Sequence, residues 1–221
     1  MKKLAVLSLG IIFLGAGCSG SDIVTTSNTP EVNINIDKSA MSVVPPSPAV
    51  NTNKPSDNNV KPKTMKTWNP PTILAEAERT NKEAVIETNK GTIVFEVLPD
   101  APLTASNFIT LAKGGYYDGI IFHRVVPNFV IQGGDPTGTG TGGPGYKFKD
   151  EPVKRTYDPG IVAMANSGPD TNGSQFFIML PNSQGLPPQY TIFGKVVSGM
   201  DVVSSIEVGD VMKKVTIRNA K

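Results

Sequence analysis

The sequence predicts a mainly β fold, a closed eight-stranded antiparallel β-barrel capped by two α-helices. Three observations carry this expectation. Short runs rich in Val, Ile, Thr and Phe recur through residues 83–221. Gly and Pro separate these runs at close intervals. Only two stretches in the same region carry a helical period, which argues against an alternating α/β sheet.

The elements follow in order. EAVIET (83–88) and TIVFEVLP (92–99) are β-rich runs joined by a turn that carries Gly91. TASNFITLAKGG (104–115) sets Phe108, Leu111 and Ala112 at i, i+3 and i+4, with Thr104 as the expected N-cap and Gly114 as the stop. IIFHRVV (120–126) and NFVIQGG (128–134) read as strands joined at Pro127-Asn128. GIVAMAN (160–166), QFFIML (175–180), YTIFGKVV (190–197) and KKVTIRNA (213–220) complete the strands. MDVVSSI (200–206), after Gly199, is the second short helix.

Residues 1–82 read differently. Residues 1–17 have the form of a signal peptide: Lys2 and Lys3, an apolar stretch through Leu14, then small residues. That stretch is too short for a comfortable membrane span of about 20 residues. LGAGC, ending at Cys18, resembles the lipobox of bacterial lipoproteins, whose cysteine is lipidated and becomes the new N-terminus. Gly15 departs from it, because that place usually holds a branched apolar residue. The alternative is an ordinary secretory signal beside a chance cysteine. Residues 18–67 are rich in Ser, Thr, Asn, Pro and Lys and bury too little apolar surface to offset ordering entropy, so they read as a flexible tether. VNINI (32–36) alternates like a strand but would be marginal alone. Residues 68–82 form a linker in which Trp68 and ILAEAERT (73–80) are expected to pack on the domain as a short helix.

Composition excludes several function classes. Loss of the leader removes Lys2 and Lys3, leaving 19 basic and 19 acidic side chains and no net charge. No basic run is interleaved with aromatics, so no nucleic-acid partner is expected. One Cys and one His make neither an internal disulfide nor a zinc site. GTGTGG (138–143) fits G-x-G-x-x-G by letters, but PGYKFKDEP follows where a dinucleotide loop would open a helix. His123 and Ser174 lack the context of a nucleophile elbow. On an apolar strand, His123 reads as a hydrogen-bonded core residue.

Arg124 is harder to dismiss. It interrupts IIFHRVVPNFVIQGGD (120–135), where a guanidinium is costly to bury without compensation. In an extended strand Phe122, Arg124 and Val126 share one face, and His123 and Val125 the other. Val130 and Gln132 also share a face, as do Gln175 and Phe177 in AMANSGPDTNGSQFFI. Such a surface has many donors and an apolar pocket but no acid–base pair. It suits a carbonyl-rich ligand with one compact apolar group, such as a proline-containing peptide. A salt bridge to a carboxylate is the competing explanation of Arg124.

FHRVVPNFVIQGGD, GTGTGG, MANSGPDTNGSQFF and YTIFGKV, in this order, resemble the cyclophilin family of peptidyl-prolyl cis/trans isomerases. The resemblance covers residues 83–221. It implies a rotation about X-Pro bonds that needs no nucleophile, metal or cofactor. It implies Arg124 as the catalytic arginine and Phe129, Val130 and Phe177 as the proline pocket, with Leu186 in the wall. It implies Gln132 and Gln175 as peptide contacts, and the backbone of Asn166, flanked by small Ala165 and Ser167, as a grip on the peptide. Gly140 would lie beside a neighbouring specificity pocket, and Tyr190 matches a position that is often His. Many members carry Met at Val130, Ala at Ser167 and Trp at Gly185, and that Trp favours cyclosporin binding. The expected partners are proline-containing segments of unfolded or secreted proteins and, through Cys18, a bacterial membrane from its extracytoplasmic side. A monomer is the default. A proline-peptide-binding scaffold with incidental turnover is the alternative.

Overall fold

The computed structural model describes residues 66–183 and 185–220. The leader, Cys18, the VNINI run and nearly all of the tether lie outside the described residues. Eight strands follow the predicted order: β1 (Lys82–Thr88), β2 (Thr92–Val97), β3 (Arg124–Val126), β4 (Val130–Gly133), β5 (Ile161–Met164), β6 (Phe176–Met179), β7 (Ile192–Ser198) and β8 (Met212–Asn219). Among the described residues three helices accompany them: α1 (Glu76–Arg79), α2 (Pro102–Lys113) and α3 (Met200–Ser205). The short α1 falls within ILAEAERT, so the described residues carry one helix beyond the two expected as caps.

All neighbouring strands are antiparallel, in the order β3-β4-β6-β5-β7-β2-β1-β8. The expected closure is corrected here, because the sheet curls but keeps two ends, β3 and β8. Among the described residues an isolated bridge, Ile121 with Val211, and the bonds around it connect those ends. The Gly119 and Phe122 N–H groups donate to the Met212 and Asp210 carbonyls at 2.7 and 2.8 Å. The Met212 and Gly209 N–H groups donate back to the Ile120 and Phe122 carbonyls, each at 2.9 Å. Residues 119–122 thus spend backbone hydrogen bonds outside a ladder, and β3 begins only at Arg124 rather than at Ile120. The strand parity breaks with it. Phe122 is fully buried in the main core and does not share the face of Arg124.

The main core lies on the inner face of the sheet and beneath α2. Phe95, Phe108, Tyr117, Phe176 and Phe193 are each 0–1% exposed and meet stacked, tilted or edge-on, with centroids 4.9 to 5.9 Å apart. These are the separations at which aromatic quadrupoles attract. Helix α2 buries Phe108, Ile109, Leu111 and Ala112 into this cluster.

Its start differs from the expectation, since Thr104 is not the cap. Pro102 occupies the first turn, where its missing N–H costs nothing, and Ala101 at the N-cap makes no side-chain bond. The cap comes from a distant loop. The Glu151 carboxylate accepts the Leu103 and Thr104 N–H groups at 2.9 and 2.7 Å, adding a negative charge at the positive end of the helix.

Candidate functional site

A second apolar cluster lies on the opposite face of the same sheet. The cross-strand register builds it. Arg124 pairs with Gln132, Gln132 with Phe177, and Phe177 with Ala163, so these side chains form one row on one face. The row beside it pairs Val126 with Val130 and Val130 with Met179. The intervening residues Ile131, Phe176 and Ile178 point the other way into the main core. Leu98, Val130, Tyr157, Ile161, Ala163, Phe177, Met179 and Ile192 make up the second cluster, with Phe129, Ala165, Leu186 and Tyr190 partly buried against it. The turn at Pro127-Asn128 closes with the Phe129 N–H donating to the Val126 carbonyl at 3.1 Å, and Asn128 takes a left-handed φ of 59°, a conformation Asn tolerates well.

Arg124 sits half-buried at the edge of this apolar floor. Its Nη1 donates to Gln132 Oε1 at 3.3 Å. Gln132 Nε2 donates to Gln175 Oε1 at 2.9 Å. Gln175 Nε2 in turn donates to the Gly140 and Gly142 carbonyls, both at 2.9 Å. Among the described residues no carboxylate forms an ion pair with Arg124, so the salt-bridge explanation does not hold there. Burial lowers its pKa, with the nearby Tyr190 opposing, yet an arginine keeps its charge from so high a starting value.

On the far side of the floor, Tyr190 meets Phe177 edge-on, with centroids 5.6 Å apart. Tyr157 holds Tyr190 by its backbone: its hydroxyl donates to the Tyr190 carbonyl at 2.7 Å and accepts the Tyr190 N–H at 3.0 Å. The Asn166 side chain donates to the Gln189 carbonyl at 2.9 Å and accepts the Gly168 N–H at 3.3 Å. Ala165, just before it, donates its N–H to the Gln175 carbonyl at 3.0 Å.

The structure therefore brings Arg124, Gln132, Gln175, Phe129, Val130, Phe177, Ala165, Leu186 and Tyr190 together, with Gly140 tied to Gln175 by a hydrogen bond and Asn166 held beside Ala165 through its bonds to Gln189 and Gly168. Ser167 is exposed and bonded to Thr171, outside the apolar cluster. Ala163, Met179, Ile192 and Tyr157 complete the floor and were not singled out by sequence. Ala163 and Ala165 stand two apart in GIVAMAN, a spacing from which Ala163 could have been found, but nothing local to Tyr157 pointed to its role.

His123 is not the hydrogen-bonded core residue expected. Both ring nitrogens are shielded from solvent and make no hydrogen bond of good geometry. Burial pushes its pKa down, Asp135 opposes, Arg124 reinforces, and Gln175 opposes. Ser174 is only 1% exposed, and its hydroxyl donates to the Gly134 carbonyl at 2.7 Å and lies 2.8 Å from that of Tyr116. A Ser–His pair has no geometry here.

An eight-stranded antiparallel sheet that carries an Arg–Gln–Phe row over an apolar floor offers hydrogen-bond donors beside an apolar surface, and the comparison with known proteins gives the class of enzyme. The family model described as cyclophilin type peptidyl-prolyl cis-trans isomerase/CLD matches residues 84–221. The chain belongs to this family, and its activity is that of a peptidyl-prolyl cis/trans isomerase. It is similar to the peptidyl-prolyl cis-trans isomerase ppi1 of Schizosaccharomyces pombe, at 55% identity over 53% of this chain and 79% of that protein. A peptidyl-prolyl cis-trans isomerase of Helicobacter pylori is 45% identical over 62% of this chain and 87% of its own length. A crystal structure of a Cryptosporidium parvum cyclophilin-type isomerase superposes with a TM-score of 0.56 at 37% identity, covering 63% of this chain and 99% of that one. The same enzyme solved in the presence of the dipeptide Ala-Pro gives a TM-score of 0.55.

Proposed function

We propose that the chain isomerises X-Pro bonds in extracytoplasmic proteins by presenting the Arg124 guanidinium to the prolyl nitrogen of the twisted amide. Amide resonance sets a rotation barrier of about 18–20 kcal/mol. Twisting localises a lone pair on nitrogen, and a donor aimed there forms a hydrogen bond that neither planar form can make. The observation that carries this reading is the cross-strand row itself: a guanidinium with no carboxylate partner among the described residues, in one row with Gln132, Phe177 and Ala163 over an apolar floor.

Phe129, Val130, Phe177 and Leu186 would hold the pyrrolidine ring. Asn166 uses its side chain on Gln189 and Gly168, so its backbone is what it offers a peptide, in the manner of a short added strand. A millionfold acceleration needs about 8 kcal/mol. One charged hydrogen bond contributes about 1.5–3 kcal/mol, so positioning and exclusion of water must supply the rest.

The test is the cis/trans exchange rate of an Ala-Pro peptide by NMR, with the full chain beside Arg124→Ala and Arg124→Lys. Turnover should collapse in both variants while peptide affinity changes far less. Equal loss of turnover and affinity would remove Arg124 from the chemistry. The extracytoplasmic reading rests on residues 1–18 alone. Fractionation with Cys18→Ser tests it: the variant should leave the membrane fraction, and unchanged partitioning would refute lipid anchoring.

A further inference from the structure

The glycine-rich turn at 138–143 has a single buried organiser. Asp135 is 1% exposed, and each oxygen of its carboxylate accepts two hydrogen bonds. Oδ1 takes the Thr137 N–H at 2.7 Å and the Thr137 hydroxyl at 2.8 Å. Oδ2 takes the Gly140 and Gly142 N–H groups at 2.6 and 3.0 Å. Burial alone would raise its pKa, but the four bonds outweigh it and hold the carboxyl ionised below its ordinary range. The fit is tight enough that a Cβ on Gly142 would come within 2.0 Å of Oδ1. The carboxylate therefore needs glycine there.

This turn lies at the far end of the hydrogen-bond chain that reaches Arg124, and that chain has a direction. Gln175 Nε2 has two protons, and the Gly140 and Gly142 carbonyls accept from it. Its Oε1 must then face Gln132, which can only meet an acceptor with its own NH2 group. The Gln132 carbonyl oxygen is left toward the guanidinium, where it accepts from Nη1. Two backbone carbonyls of the turn thus decide the amide orientation of both glutamines. If the turn moved, either amide could flip and set an NH2 donor against the cationic donor of Arg124.

We propose that Asp135 is a positioning residue for the isomerase reaction, acting on Arg124 through the 138–143 turn, Gln175 and Gln132. The inference rests on the reading of Arg124 as the catalytic donor. Asp135→Asn puts a donor among the N–H groups that the carboxylate now accepts. Exchange of the Ala-Pro peptide by the full chain should slow by about tenfold, with peptide affinity changed by less than about threefold. In an Arg124→Ala background the same substitution should change the residual rate by less than about twofold, because two steps of one chain are not additive. A merely structural role would slow both backgrounds alike, and that result would overturn the proposal. A second readout needs no turnover: the Gln175 and Gln132 side-chain NH2 signals and the Arg124 Nε–H signal in 15N NMR. All three should shift or broaden in Asp135→Asn while the amides of Ile178 and Phe193 stay in place. Movement of Gly140 and Gly142 alone would sink the idea, and this arm decides it even if wild-type turnover is absent and the reading of Arg124 fails. Should Asp135→Asn not fold, Thr137→Val removes the hydroxyl with its bonds to Asp135 and Thr139, keeps the N–H bond to the carboxylate, and should give the same pattern at smaller amplitude; no shift at Gln175 would contradict the relay.

Discussion

The residues around the site divide into those whose polar atoms are shielded from solvent and those that only line its rim. His123 belongs to the first kind. Burial lowers its pKa from the ordinary 6.5, with Asp135 and Gln175 opposing and Arg124 reinforcing. The unfolded chain therefore binds a proton there that the folded chain does not. That contribution to stability is complete above the unfolded value and is lost as pH falls through it toward the folded pKa. His123 is the only histidine of the chain. The urea midpoint should fall between pH 7.5 and 5.5, and His123→Gln should flatten the fall; an equal slope in the variant would refute the assignment. Gly185 is of the second kind. It is exposed, and a Cβ built on it meets nothing within 4 Å. Gly185→Trp should fold with unchanged stability and place an indole at the rim beside Leu186, read as a peptide-dependent change in fluorescence.

Among the elements, α2 depends on groups far from it in sequence. Glu151 is its cap, and Thr104 is fully buried. Glu151→Ala should therefore cost about 1–3 kcal/mol, by leaving two helix N–H groups without their acceptor, measured by chemical denaturation. At the other end, Gly114 closes the helix under the ring of Trp68. A Cβ there would come within 2.3 Å of that ring, although the backbone φ of −80° accepts any residue. Trp68 also meets Tyr116 edge-on at 5.4 Å, and the Leu74 N–H donates to the Ser106 hydroxyl at 2.9 Å. Residues 68–80 are thus laid along α2. Gly114→Ala should displace the sole tryptophan and shift its emission to the red, while the helix gains intrinsic propensity.

For the molecule as a whole, one sheet serves two apolar clusters of unequal size. The inner one, built around Phe108, carries stability, and the outer one is left open to a ligand. Phe108→Ala should cost about 3–5 kcal/mol in the denaturation midpoint, whereas truncation of the part-exposed Phe129 should cost less stability and more peptide affinity. The order of elements was legible in the sequence, because alternation and Gly–Pro punctuation are local signals. The partition of the site was legible only in part. Gln175, just before β6, and Phe177 lie two apart in a continuous extended stretch, so their shared face could be read directly. Phe122 and Arg124 are also two apart, yet the bonds of residues 119–122 to residues 209–212 bend the chain between them and send the side chains to opposite sides. Closure, the Glu151 cap, the role of Tyr157 and the direction of the Asp135-to-Arg124 chain all join residues distant in sequence. Local pattern by itself determined which segments are strands and which residues carry donors and apolar bulk. Tertiary structure decided which face each takes and what holds it there, because register and hydrogen-bond partnership belong to pairs of segments and not to either one alone.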